Sequence, residues 1–80
     1  MATVRLFARL RELAGGSRVQ IEGATVGEIV AAAGEQFGSE FAASLETARI
    51  WLNGEEADYD DAVDPGDEVA MLPPVSGGDR

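Results

Sequence analysis

The 80-residue sequence predicts an α+β domain in which one main helix covers a mixed sheet. Three observations predict it. Apolar residues alternate with a period of two near both ends of the chain. A single long helical stripe lies between a capping signal and a glycine. An Asn-Gly dipeptide of the kind that closes two-residue hairpins follows a short apolar run. A chain of this size buries only about 60% of its extended surface. Its core is thin, with little room for an enclosed active site.

Residues 3–7 alternate, with Val4 and Leu6 on one face and Thr3, Arg5 and Phe7 on the other, as a strand requires. Residues 8–14 lack β-branching, Gly15-Gly16 marks a turn, and residues 17–21 resume a strand with Val19 and Ile21 in phase. The two strands are read as a wide hairpin. Thr25-x-x-Glu28 is a capping box, and Val26, Ile29, Val30, Ala33 and Phe37 follow on one helical face until Gly38 stops the helix. A further short helical turn over residues 39–46 is anchored by Phe41 and Leu45. Residues 48–52 form a strand, Asn53-Gly54 its type I′ turn, and residues 55–57 the return. Asp64-Pro65-Gly66-Asp67 is a tight turn into a last strand over residues 68–72. This order, with the first and last strands as parallel central neighbours, is a β-grasp. The expected core is Val4, Leu6, Val19, Ile29, Val30, Ala33, Ile50, Leu52, Val69 and Met71.

Composition narrows the function classes. Fifteen acidic residues against six basic ones give a net charge of −9, which repels a phosphate backbone or an anionic membrane, so neither nucleic acid nor membrane is an expected partner. Cysteine and histidine are absent and all six basic residues are arginine. The usual general base, nucleophilic thiol and Schiff-base amine are therefore missing. Asp58, Asp60, Asp61, Asp64 and Asp67 do not follow the ligand spacing of a calcium loop and read as a solvated acidic loop; no metal or bound cofactor is expected. The N-terminus shows no signal-peptide pattern, which points to the cytoplasm.

The C-terminal decapeptide Met71-Leu72-Pro73-Pro74-Val75-Ser76-Gly77-Gly78-Asp79-Arg80 is the most informative stretch. A strand end runs into two prolines, whose fixed φ favours an extended chain, and then into two glycines, which lack the Cβ that would block a narrow channel. A body over residues 1–72 and a flexible arm over residues 73–80 are expected. Pro73 to Gly78 would reach about 20 Å, enough to enter a pocket on another protein.

Phe7-Ala8-x-x-Arg11-Glu12-Leu13-Ala14-Gly15, the Leu52-Asn53-Gly54 turn and the string from Asp67 to Gly78 together resemble the ubiquitin-like sulfur carriers of the MoaD/ThiS family, which include the small subunit of molybdopterin synthase. The similarity follows the order and spacing of nearly the whole chain. The resemblance implies a carrier whose chemistry resides in a carboxylate on Gly78, reached through Gly77. A ubiquitin-activating-type adenylyltransferase would use ATP to adenylate it, and a sulfur donor protein would convert the acyl adenylate to a thiocarboxylate. In the molybdenum-cofactor branch the arm, Pro73, Pro74, Val75 and Ser76 included, would enter the large subunit of molybdopterin synthase. Catalytic side chains would then belong to the partners.

One departure from the family pattern concerns the end of the chain. Such carriers end at the diglycine, whereas Asp79-Arg80 follow here, and an amide at Gly78 cannot be adenylated as a carboxylate. Either a processing peptidase removes the two residues or the protein is not competent as encoded; processing is the favoured expectation.

Surface patterning adds a second candidate site. Phe7 and Leu72 fall out of phase with the core residues of their strands and so lie on the open face near the root of the arm, where an apolar patch marks a docking surface. Arg11 is expected to rim it and to pair with a partner carboxylate. Trp51 is also out of phase, but the resemblance supports docking only for Phe7 and Leu72; the other reading makes Phe7 and Trp51 core residues of a small sheet. Three further functions remain open: a sulfur carrier for thiamine, cysteine or a secondary metabolite, a ubiquitin-like modifier joined to lysines through Gly78, and an inert binding module.

Overall fold

The computed structural model describes residues 1–73. Pro74, Val75, Ser76, Gly77, Gly78, Asp79 and Arg80, and with them most of the expected arm, lie outside the described residues. The elements run β1 (Ala2–Leu6), α1 (Ala8–Ala14), β2 (Arg18–Ile21), α2 (Val26–Phe37), α3 (Ser39–Leu45), β3 (Arg49–Leu52), β4 (Glu55–Glu56) and β5 (Glu68–Leu72). The five strands form one sheet in the order β2-β1-β5-β3-β4. β1 and β5 are parallel and central, with Leu6 beside Met71, while the β1/β2, β3/β5 and β3/β4 pairs are antiparallel. This is the expected α+β, ubiquitin-like β-grasp with a mixed sheet.

The main correction concerns residues 8–14, which form helix α1 inside the β1–β2 connection, where a wide hairpin loop was expected. Ala-Arg-Leu-Arg-Glu-Leu-Ala consists of strong helix formers. The helix lacks a side-chain cap at Phe7 and is closed at Gly15, whose φ of 81° lets the N–H groups of Gly15 and Gly16 both reach the Arg11 carbonyl, at 3.0 and 3.2 Å. Its Leu10 is buried in the core. Phe7, expected as the last strand residue, instead precedes α1, but its extended backbone (φ −127°, ψ 152°) keeps the strand's alternation.

Helix α2 begins at the expected cap. Thr25 Oγ1 accepts the Glu28 N–H at 3.2 Å, and the Glu28 carboxylate accepts the Ala24 N–H at 2.7 Å, one residue upstream of the usual reciprocal partner. The next two orphan donors, the N–H groups of Val26 and Gly27, go to the carbonyls of Asp61 and Tyr59. The acidic loop thus caps the helix through its backbone. Gly38 joins α2 to α3, and Phe37 and Phe41 meet across this corner with ring centroids 5.0 Å apart. Arg9 of α1 and Glu40 of α3 form an exposed ion pair at 2.8 Å.

The core lies between the helices and one sheet face. Val4, Leu6, Ile29, Ala33, Ile50, Val69 and Met71 are buried as expected, whereas Val19, Val30 and Leu52 are only partly buried at its margin. Ala2, Leu10, Ile21, Val26, Phe41, Leu45 and Val63 complete it. Burying a large aliphatic or aromatic side chain contributes about 1.5–3 kcal/mol. Phe41, fully buried on the short α3, is therefore a principal contributor that the strand and α2 patterns do not reveal.

Candidate functional site

The alternation that sends Val4, Leu6, Val69 and Met71 into the core sends Thr3, Arg5, Glu68, Ala70 and Leu72 to the opposite face, which no helix covers among the described residues. Strand register then sets the neighbours. Ala70 stands between Arg5 on β1 and Trp51 on β3, and Leu72 stands beside Arg49. Because Ala70 is small, the space between its larger neighbours stays open as a shallow depression of about 270 Å³, lined by Phe7, Trp51, Gly54, Glu68, Ala70 and Leu72. Its lining is mostly apolar, and it lies at the root of the chain's last segment, since Pro73 directly follows Leu72.

Both long edges of the depression are braced. On one side the Arg5 guanidinium lies 5.4 Å from the centroid of the Phe7 ring, within cation–π range, and 3.9 Å from the Glu68 carboxylate. On the other, Asn53 and Gly54 adopt positive φ (52° and 88°), the conformation a type I′ turn demands. Asn53 then clamps the start of β5: its N–H donates to the Glu68 carbonyl at 2.8 Å and its Oδ1 accepts the Glu68 N–H at 2.9 Å. The Asp67 carboxyl is held below the ordinary aspartate range, first by the Asp64 N–H that it accepts at 2.9 Å and second by the Asn53 side chain. The depression is therefore walled by a fixed turn and a fixed strand end.

The structure brings Phe7 and Leu72 together, and with them Trp51, which the sequence left without support. Arg11 is an exposed residue of α1 and is not among the lining residues; the arginine at the rim is Arg5. Pro73 is half-buried. Sequence reasoning missed Ala70, the cross-strand partner of Trp51 in the β3/β5 register, a small–large pairing that the predicted strands already contained.

The remaining features offer less for chemistry. A recess of about 350 Å³ beside Met1, Glu22, Gly23, Ala24, Glu28 and Pro65 lies where β5 begins, at the other end of the strand from Leu72, and its Glu28 is engaged in the α2 cap. Among the described residues no group of three or more acidic side chains is placed to hold a metal ion. Two of the acidic-loop carboxylates close turns, Asp61 accepting the Asp58 N–H and Asp67 that of Asp64, both at 2.9 Å. Among the described residues no polar or charged residue is buried, and no helix is long and apolar enough to cross a membrane.

Known proteins match the chain over nearly its whole length. The ThiS family model matches residues 4–78. The molybdopterin synthase sulfur carrier subunit of Haemophilus influenzae is 36% identical over 98% of this chain and 100% of its own. Small archaeal modifier protein 1 of Haloferax volcanii is 38% identical over 92% and 97%. Among solved structures, a chain of the BexX/CysO complex of Amycolatopsis orientalis superposes with a TM-score of 0.79 at 27% identity, covering 98% of this chain and 100% of that one.

Proposed function

Since the chain belongs to the ThiS family of ubiquitin-like sulfur carriers and modifiers, we propose that it carries sulfur as a thiocarboxylate on Gly78 and donates it as the small subunit of a molybdopterin synthase. The observation that carries the reading is the position of the apolar depression: Phe7, Trp51 and Leu72 surround the point where β5 gives way to the Pro-Pro segment, so a partner that grips this face receives the C-terminal segment at its own surface. The full-length similarity to a molybdopterin synthase sulfur carrier supports the choice of branch.

The chemistry follows from the residue inventory. A carboxylate resists nucleophiles because of its charge, so activation must come first. After removal of Asp79 and Arg80, the Gly78 carboxylate attacks the α-phosphorus of ATP on an adenylyltransferase and pyrophosphate leaves. The resulting acyl adenylate is attacked by a persulfide sulfur from a donor protein, AMP leaves, and thiol reduction of the acyl disulfide releases the thiocarboxylate. With no histidine, cysteine or lysine in the chain, these steps draw their acids, bases and sulfur nucleophiles from the partners. A second reading, a protein modifier joined to lysines through Gly78, starts from the same adenylate and is favoured by the similarity to small archaeal modifier protein 1.

The test is reconstitution with the cognate adenylyltransferase. A chain ending at Gly78 should form an acyl adenylate with ATP and then gain about 16 Da with a sulfide or persulfide donor, while the full-length chain should do neither. Adenylation of the full-length chain with Asp79-Arg80 retained would refute the mechanism. The loaded chain, mixed with the synthase large subunit and cyclic pyranopterin monophosphate, should yield molybdopterin. Conjugation to lysines in the source cell without molybdopterin formation would select the modifier reading.

A further inference from the structure

The open sheet face has a charge composition unlike the rest of the molecule. Strand register assigns Arg5, Arg18 and Arg49 to it against Glu56 and Glu68, three cations facing two anions in a chain where acidic residues outnumber basic ones fifteen to six. Within that set, Arg5 and Arg18 stand directly opposite each other in the antiparallel β1/β2 ladder. Directly opposed residues share a face with Cβ atoms about 4.5–5.5 Å apart, and like charges placed so are destabilising. Arg5 is only partly relieved, by Glu68 at 3.9 Å across two exposed side chains. Among the described residues no carboxylate lies within ion-pair distance of Arg18.

We propose that Arg5, at the rim of the open-face depression, and Arg18, opposite it on the neighbouring strand β2, form a carboxylate socket beside the depression, and that a partner protein docks here with an apolar anchor against Phe7, Trp51 and Leu72 and an aspartate or glutamate across the two arginines. The Arg5 guanidinium, 5.4 Å from the Phe7 ring centroid, joins the socket to the apolar floor. A phosphate-rich partner is disfavoured by the net charge of −9, whereas one carboxylate inside a protein interface meets only the local arginines. The repulsion left in the free chain becomes, in the complex, two charge-assisted hydrogen-bonding groups on one acceptor. The inference rests on the carrier reading for the identity of the partner, the adenylyltransferase or the synthase large subunit.

The chain's lack of lysine supplies the test. Arg18→Lys keeps the charge and adds the only side-chain amine, so carbodiimide treatment of the complex with either partner should join position 18 to a partner aspartate or glutamate, read by peptide mass spectrometry. Arg18→Glu should weaken binding to that partner by about tenfold and Arg18→Gln by about threefold, whereas Arg9→Gln, which touches only the α1–α3 ion pair, should change it less than about twofold. Circular dichroism of each variant separates lost binding from lost folding. Wild-type binding that Arg18→Gln and Arg18→Glu leave unchanged, or position 18 joined only to a second copy of this chain, overturns the socket while leaving the carrier reading intact. Failure of the wild-type chain to bind either partner overturns both.

Discussion

The two faces of the same sheet are built from alternate residues of the same strands, yet they are held to different standards. On the covered face Val4, Val69 and Met71 have no measurable exposure, each fixed by residues of both neighbouring strands and by the helix layer. On the open face Phe7, Trp51 and Leu72 are half-buried, comparable in size and apolarity but surrounded by arginines and glutamates. The covered face specifies the fold. The open face retains a similar capacity for burial that the monomer leaves unused, as an interface of a docking module requires.

The comparison can be broken most sharply on the covered side. Phe41→Ala should cost about 3–5 kcal/mol of stability, read as a shift of the urea unfolding midpoint, whereas Phe7→Ala should cost under about 1 kcal/mol. Equal losses would mean that the two faces do not differ in kind. Next in size, Phe7→Asp or Leu72→Asp should weaken binding to the adenylyltransferase or the synthase large subunit by more than about 1.5 kcal/mol, measured by calorimetry, with a much smaller change in melting temperature. Variants that unfold would assign those side chains to the core.

A change away from both faces sharpens the contrast. Thr25→Ala removes the side-chain acceptor at the head of α2 and should cost about 1 kcal/mol of stability while leaving partner affinity unchanged. The smallest effect concerns pH. The Asp67 carboxyl titrates below its ordinary value in the folded state, so its contribution is complete above the unfolded-state value and is lost as the pH falls through the folded one. Asp67→Asn should therefore lower stability modestly at neutral pH and flatten the acid limb below about pH 4, so that the two proteins converge as the pH falls. An acid limb identical in the two proteins would show that the turn gains nothing from the charge.

The sequence made the sheet and α2 legible because their signals are long-range periodicities or paired caps: Val4 and Leu6, Val69 and Met71, Thr25 and Glu28, Asn53 and Gly54. Helix α1 was not legible, because seven residues with one fully buried side chain, Leu10, offer too short a window for a 3.6-residue period and no side-chain cap announces it. The candidate site was legible by half. Phase alone placed Phe7, Leu72 and Trp51 on the open face, but grouping them requires the register that sets Trp51 against Ala70, which no single strand contains. Arg11 stood close to Phe7 in sequence, yet α1 leaves it outside the depression's lining and Arg5, on β1 two residues before Phe7, takes the rim.

The pairing of β5 has a mechanical consequence. The strand that leads into the C-terminal segment is the middle strand of the sheet, hydrogen-bonded along one side to β1 and along the other to β3, with Thr3 beside Glu68 and Leu52 beside Val69. A partner that grips the body and draws the tail into its pocket loads β5 in shear, so that rupture requires many ladder bonds on both flanks to fail together instead of peeling one at a time. Under the proposed function the domain would stay folded while the chain's end is pulled, because the strand that completes the sheet would also anchor the segment that follows it.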